Sequence, residues 1–274
     1  MIKPDCEEPE MRHLTLFAAA TLGVATVAIA AQDTNRVALD TAVTAGTRTP
    51  ANSARDRYRN PAETLAFFQV KPTDTVIELW PGGGWYTEIL APYLKAGRLI
   101  GVAPANGLRG IEGLRTKDAS TYGRVETAPY DPATGMTAID ASSADVVLTF
   151  RNVHNWRMGG VENAEKVFAE AYRVLKPGGV LGVVEHRLPE ARDAGAEEKS
   201  GYMKVSSVVA LATKAGFTVD AQSEVNANPK DTADWPQGVW TLPPSLRLKD
   251  VDRAKYQAIG ESDRMTIRFR KPAA

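Results

Sequence analysis

An acid, three consecutive glycines and an aromatic pair stand together in Val76-Ile77-Glu78-Leu79-Trp80-Pro81-Gly82-Gly83-Gly84-Trp85. A carboxylate at the end of an apolar run can accept a hydrogen bond or an ion pair from an amino group. Glycines behind it let the backbone come close to a ligand, and the helix start beyond them offers free N–H groups. Strand, acid, glycine turn and helix make a nucleotide-binding arrangement. The dinucleotide spacing G-x-G-x-x-G is not met, because Thr87 stands where the last glycine belongs. A carboxylate at Glu78 would also repel a pyrophosphate. A second group of reactive types, Arg151-Asn152-Val153-His154-Asn155-Trp156, directly follows the apolar run 145–150. His154 suits a general base or a residue that orients an acceptor; the alternative is a loop histidine satisfied by backbone. Glu185 and His186 end another apolar run, and Tyr202 and Lys204 open the helix after it.

The elements that must position these groups alternate. Apolar runs at 75–79, 98–102, 125–128, 145–150, 180–185, 217–224 and 265–270 read as seven strands. Asn60-Pro61 reads as an N-cap and first helical residue, with a helix to about Val70. Further helices are expected at 85–94, 161–175 and 204–215, with Lys176-Pro177-Gly178-Gly179 as a turn. Buried strands alternating with helices predict an α/β, Rossmann-like, seven-stranded, mostly parallel sheet with helices on both faces. Residues 225–263 are too long for a simple connection. They read as a lid-like loop or a structural arm, with Trp235 and Trp240 as substrate contacts in the first case.

Bulk composition narrows the partners. The 274 residues carry 33 Lys plus Arg against 33 Asp plus Glu, so nothing favours nucleic acid. Cys6 is the single cysteine and there are three histidines, so no metal site is expected. The N-terminus has a basic start at Met11-Arg12-His13, an apolar run 14–29 and the small residues of Ala28-Ile29-Ala30. Residues 1–30 therefore read as a signal peptide, with export to the periplasm or medium; a retained anchor or a cytoplasmic helix is the alternative. The acidic stretch 5–10 is wrong for a signal and fits a true start at Met11. Residues 31–58 lack periodicity and read as a linker, leaving 59–274 as one domain with an insertion at 225–263. No stretch beyond the signal is apolar enough to span a membrane.

Glu78 to Gly84 resembles the E/D-x-G-x-G-x-G turn of class I S-adenosylmethionine-dependent methyltransferases, with Trp80 in the place of the first glycine. The resemblance covers about residues 60–224 and includes Gly97-Arg98-Leu99-Ile100-Gly101-Val102, the run 144–156, and Tyr172 to Leu181 in the family's order. Segments at 226–231, 238–244 and 260–265 resemble a bacterial group known only as methyltransferases by prediction. The resemblance implies S-adenosylmethionine as cofactor and a small-molecule acceptor. It implies cofactor contacts at Glu78, Gly82, Gly83, Gly84, Arg151 and Asn152, with Asp131 near the adenine or else a turn residue. It places the ribose-binding acid at Ala103, which cannot do that work. His154 and Tyr202 are the candidate catalytic residues; Asn155, Trp156, His186, Trp235 and Trp240 are the candidate acceptor contacts. Ala103, Trp80 and the export signal also admit an exported binding protein that keeps the fold without catalysis. A nicotinamide dehydrogenase is disfavoured by the missing glycine and by Ala103.

Overall fold

The computed structural model describes Met1 and residues 34–273, so the signal-peptide reading lies outside the described residues. The chain enters through a helix at 34–43 (α1) and two single turns, α2 (Pro50–Ser53) and α3 (Asp56–Arg59), before α4 (Pro61–Phe67). This corrects the linker expectation. Leu39 and Ala42 of α1 are buried in the core, and a bidentate pair from Arg48 to Asp56 ties the following loop together. Weak periodicity hid these turns because α2 buries no side chain and α3 buries only Arg59.

Then come β1 (Thr75–Leu79), α5 (Thr87–Tyr93), β2 (Arg98–Ala103), α6 (Arg109–Lys117), α7 (Ala119–Tyr122), β3 (Glu126–Pro129) and β4 (Ala144–Phe150). The chain continues through α8 (Val153–Met158), α9 (Val161–Val174), β5 (Leu175–Leu188), the two-residue β6 (Met203–Lys204), α10 (Val205–Lys214), β7 (Thr218–Ser223), α11 (Arg253–Ile259) and β8 (Arg264–Arg270). The main sheet runs β3-β2-β1-β4-β5-β8-β7, with β6 paired to β5 beside it. The first five strands are parallel and β8 is antiparallel to both its neighbours. All seven expected strands are present, and the mostly parallel α/β architecture holds.

β1, β2, β4 and most of β5 are buried because helices cover both faces, while the edge strand β3 stays largely exposed. One face packs Val167, Phe168 and Ala171 of α9 and Val208 and Leu211 of α10; the other packs Leu39, Leu65, Ile89, Leu90 and Ile111. Two local expectations change. Residues 176–179 run into β5 as an irregularity of its pairing with β4 rather than as a free turn. Asn60 lies in the left-handed region at φ 39° and does not cap α4; its side-chain amide donates to Val225 O at 2.6 Å. The same Asn-Pro pair suits both roles, and the contact with a distant segment decides. Among the described residues no helix is long and apolar enough to cross a membrane.

The strand order reverses between β2-β1 and β4-β5, which opens a crevice beyond the carboxyl ends of β1 and β4. Leu39→Ala tests the packed N-terminal segment. It is expected to lower unfolding free energy by about 2–5 kcal/mol in urea titration, as a fully buried leucine should; a linker residue would change nothing.

Candidate active site

Glu78 is the penultimate residue of β1, beneath the glycine turn. It is buried and accepts a 2.6 Å hydrogen bond from Thr87 Oγ1 of α5. Burial pushes its carboxyl up to about 7 against the partial relief from Thr87. The turn above it runs through left-handed backbone. Gly82 has φ 57° and Gly84 φ 80°, and a Cβ on either glycine 82 or 83 would meet only open space. Trp80 stands at φ 48°, where a glycine would cost nothing and an L side chain costs roughly 1–2 kcal/mol. Its ring packs on Tyr130 at 4.9 Å and Trp156 at 5.0 Å, which offsets that cost. Its N–H bonds Val102 O at 2.7 Å. Asn152 then pins the bend, donating to Leu79 O at 3.0 Å and bonding Thr149 Oγ1 at 3.1 Å. A side chain at Gly110 of α6 would collide with Gly82 O, so the helix closes against the turn from the other side.

Under the turn lies a cavity of about 250 Å³, bounded by Glu78, Gly82, Gly83 and Asn152 from the sheet edge and by Arg55 and Arg59 from α3 and its start. A second cavity of about 300 Å³ is bounded by His154, Asn155, His186, Trp240, Pro243 and Pro244. Arg55, Arg59 and Arg151 line both. His154 is buried at the start of α8. Its Nδ1 lies 2.8 Å from Glu185 Oε1, and its backbone N–H donates to Glu185 Oε2 at 3.2 Å. Glu185 is fully buried on β5 and also accepts from His186 N at 2.7 Å. This leaves Nε2 of His154 for the cavity. His186 contacts Ser262 Oγ at 2.5 Å through Nδ1, and burial, His154 and the nearby arginines hold it well below the usual histidine range.

Glu261, at the end of the 225–263 insertion, is buried among arginines. It meets Arg55 Nε at 2.6 Å, Arg59 Nε at 3.0 Å, Arg264 Nη2 at 3.3 Å and Arg151 Nη1 at 3.9 Å. Burial raises its carboxyl, but Arg59, Arg264, Arg55 and Arg151 outweigh that and hold it at about 2. Burial, then the Arg151 charge, brings Arg59 down to about 9; burial, then Arg264, brings Arg151 down to about 10.

The structure thus gathers Glu78, Gly82, Gly83, Arg151, Asn152, His154, Asn155, His186 and Trp240 at one rim, with Gly84 buried in the turn itself. It does not bring the other candidates there. Tyr202 is fully buried, donates its hydroxyl to Asp231 at 3.0 Å and lines neither cavity. Trp235 donates to the same Asp231 at 2.6 Å and packs on Tyr256, so it holds the insertion together. Trp156 is buried against Trp80 and Phe168. Asp131 is exposed, and its Oδ1 accepts from the N–H groups of Ala133 and Thr134 as a turn residue does. Ala103 is fully buried, and its Cβ would crowd any side chain placed on Gly107. Arg55, Arg59 and Glu261 were not among the expected residues. Their signal in the chain is only a basic run, Arg55-Asp56-Arg57-Tyr58-Arg59, and one acid more than 200 positions away.

The sheet order, the acidic end of β1 and the glycine turn define the Rossmann-like fold used by S-adenosylmethionine-dependent methyltransferases. Residues 78–183 match the family model described as a methyltransferase domain. Among solved structures, an S-adenosylmethionine-dependent methyltransferase from Aquifex aeolicus is similar at 16% identity and TM-score 0.55, over 80% of this chain and 93% of that one. The [4+2]-cyclase SpnF is similar at 14% identity and TM-score 0.58, over 84% and 86%. An O-methyltransferase family protein from Burkholderia thailandensis is similar at 15% and 0.51, over 81% and 58%. No protein with a curated description matches the sequence. The structures show the fold; with the domain match they imply S-adenosylmethionine as the cofactor.

The residues present fit the methionine end of that cofactor. Glu78 can receive an amino group, and the cradle at Gly82 and Gly83 is open. At Ala103, where the resemblance puts the ribose, the side chain offers no acceptor. The raised carboxyl of Glu78 gives a pH test. A native pKa of about 7 against the usual 4.5 means the native state holds the proton that the unfolded chain loses. Stability should therefore fall by up to about 3 kcal/mol as pH rises from 4.5 through 7. Glu78→Gln should lack this loss in urea titrations across that window; parallel curves for the two proteins would contradict the raised carboxyl of buried Glu78.

Proposed function

We propose that the chain transfers a methyl group from S-adenosylmethionine to a small-molecule acceptor seated beside His154 and Trp240. The observation that carries this reading is adjacency: the cavity under the glycine turn and the cavity at His154 share Arg55, Arg59 and Arg151 as one wall. When bound, the sulfonium supplies an electrophilic methyl group with a good leaving group, so positioning and exclusion of water are the main tasks left to the protein. Glu78 would accept from the amino group, and Asn152 keeps the turn in place for it. His154, held through Nδ1 by Glu185, would take the acceptor's proton at Nε2. Glu185 fixes the ring and favours the imidazolium that results. Trp240, Pro243 and Pro244 would cover the acceptor. His186, kept neutral, adds a hydrogen-bonding wall without adding charge.

Ala103 favours a second reading, an exported binding protein that keeps the fold but has lost catalysis. Export supports it too, because the cofactor is made in the cytoplasm. Residues 11–30 carry the export proposal by sequence alone. N-terminal sequencing of the mature protein is expected to begin near Ala31; an intact chain starting at Met1 or Met11 would contradict export with cleavage.

Isothermal titration with S-adenosylhomocysteine separates the two functional readings. Binding is expected, weakened about tenfold or more by Gly82→Val, which forces a branched side chain into left-handed backbone. No heat at millimolar ligand would sink the methyl-transfer reading and leave the binding protein.

A further inference from the structure

Four guanidinium groups converge on one carboxylate at the wall between the cavities. Glu261 engages all four, within 2.6 to 3.9 Å. A single negative charge cannot balance them. Glu185, also a buried acid of this rim, has its oxygens engaged by His154 Nδ1 and by the backbone N–H groups of His154 and His186. Glu78 borders only the turn-side cavity, and its raised carboxyl carries less than a full charge near neutral pH.

Three of the four, Arg55, Arg59 and Arg151, carry this excess along the lining of both cavities. Arg59 is 2% exposed, and its Nη1 is buried without a hydrogen-bond partner among the described residues. A buried donor left unmade is costly, more so on a charged group. Arg151 reaches Glu261 only at 3.9 Å, too long for a hydrogen bond, and lines both cavities. Burial first lowers Arg59 and Arg151, and the charges of their arginine neighbours add to it; an added anion would relieve that second part.

We propose that Arg55, Arg59 and Arg151, backed by Arg264, form an oxyanion-binding site that seats a carboxylate or phosphate of the methyl acceptor. The acceptor is favoured over the cofactor as the source because Glu261 and Ser262 border the His154 cavity and not the one beneath the turn. An anion held there would leave the rest of the molecule against His154 and Trp240. A cation is the rival occupant, since His154, Glu185 and His186 present ligand atoms within 4.8 Å of one another. The neighbouring arginines oppose it, and Glu185 is already committed to three N–H donors. The assignment to the acceptor rests on the methyl-transfer reading; the oxyanion site itself does not.

The test is titration of the full chain at low salt with inorganic phosphate, benzoate and the neutral isostere benzamide. Phosphate and benzoate are expected to bind and to raise the melting temperature; benzamide is not. Arg55→Gln, at the half-buried rim, should weaken benzoate about tenfold. Glu261→Gln should strengthen it several-fold by removing the competing carboxylate. Equal binding of benzamide, or Arg55→Gln binding as wild type does, would overturn the site, as would a divalent cation binding there in preference. Saturating S-adenosylhomocysteine should leave benzoate affinity unchanged. Competition between them would overturn the acceptor assignment and give the site to the cofactor's carboxylate. Benzoate binding without any S-adenosylhomocysteine binding would sink the methyl-transfer reading and support the site alone.

Discussion

Glu261 and its arginines form the constraint on which the rim of this protein depends. A buried carboxylate is costly to desolvate, and it stays ionised here because Arg55 and Arg59 arrive from the N-terminal turns, Arg151 from the end of β4 and Arg264 from β8. The interaction therefore fastens three distant parts of the chain to one sheet edge. It also over-fastens them, since the cations exceed the anion. Such an imbalance stabilises little by itself. It makes electrostatic sense as a field prepared for a negative group.

The other half of the rim is built by backbone. The turn after β1 lies in left-handed conformations that Gly82 and Gly84 adopt freely and Trp80 adopts at a cost. Asn152 reaches across from β4 to hold it, and so links the two strands that frame the crevice. The base-like pair of His154 and Glu185 lies on the same edge, one strand further on. Cofactor cradle, arginine wall and histidine pair thus stand in sequence along a single line of strand ends. Ala103, which the resemblance puts beside the ribose, is sealed into the core.

The sheet was legible in the chain because buried parallel strands are written as apolar, β-branched runs such as 75–79 and 145–150. Glu78, the glycines and His154 were legible because their residue types and their place at strand ends carry the chemistry. What failed was partnership at long range. Tyr202 and Trp235 look as available as His154 and Trp240 in a linear reading. Asp231 claims both of them, and only the fold reveals it. Asn60-Pro61 is a valid helix start and equally a valid bend. Arg55 and Arg59 stand in a stretch without periodicity, and their partner Glu261 lies at the far end of the chain.

A crystal structure of the chain soaked with S-adenosylhomocysteine would show whether the glycine turn holds the cofactor. The ligand's amino group is expected within hydrogen-bond distance of Glu78, its chain over Gly82 and Gly83, and its sulfur facing the cavity of His154. Ligand density lodged elsewhere, or a turn cavity that stays empty at saturating ligand, would contradict that placement.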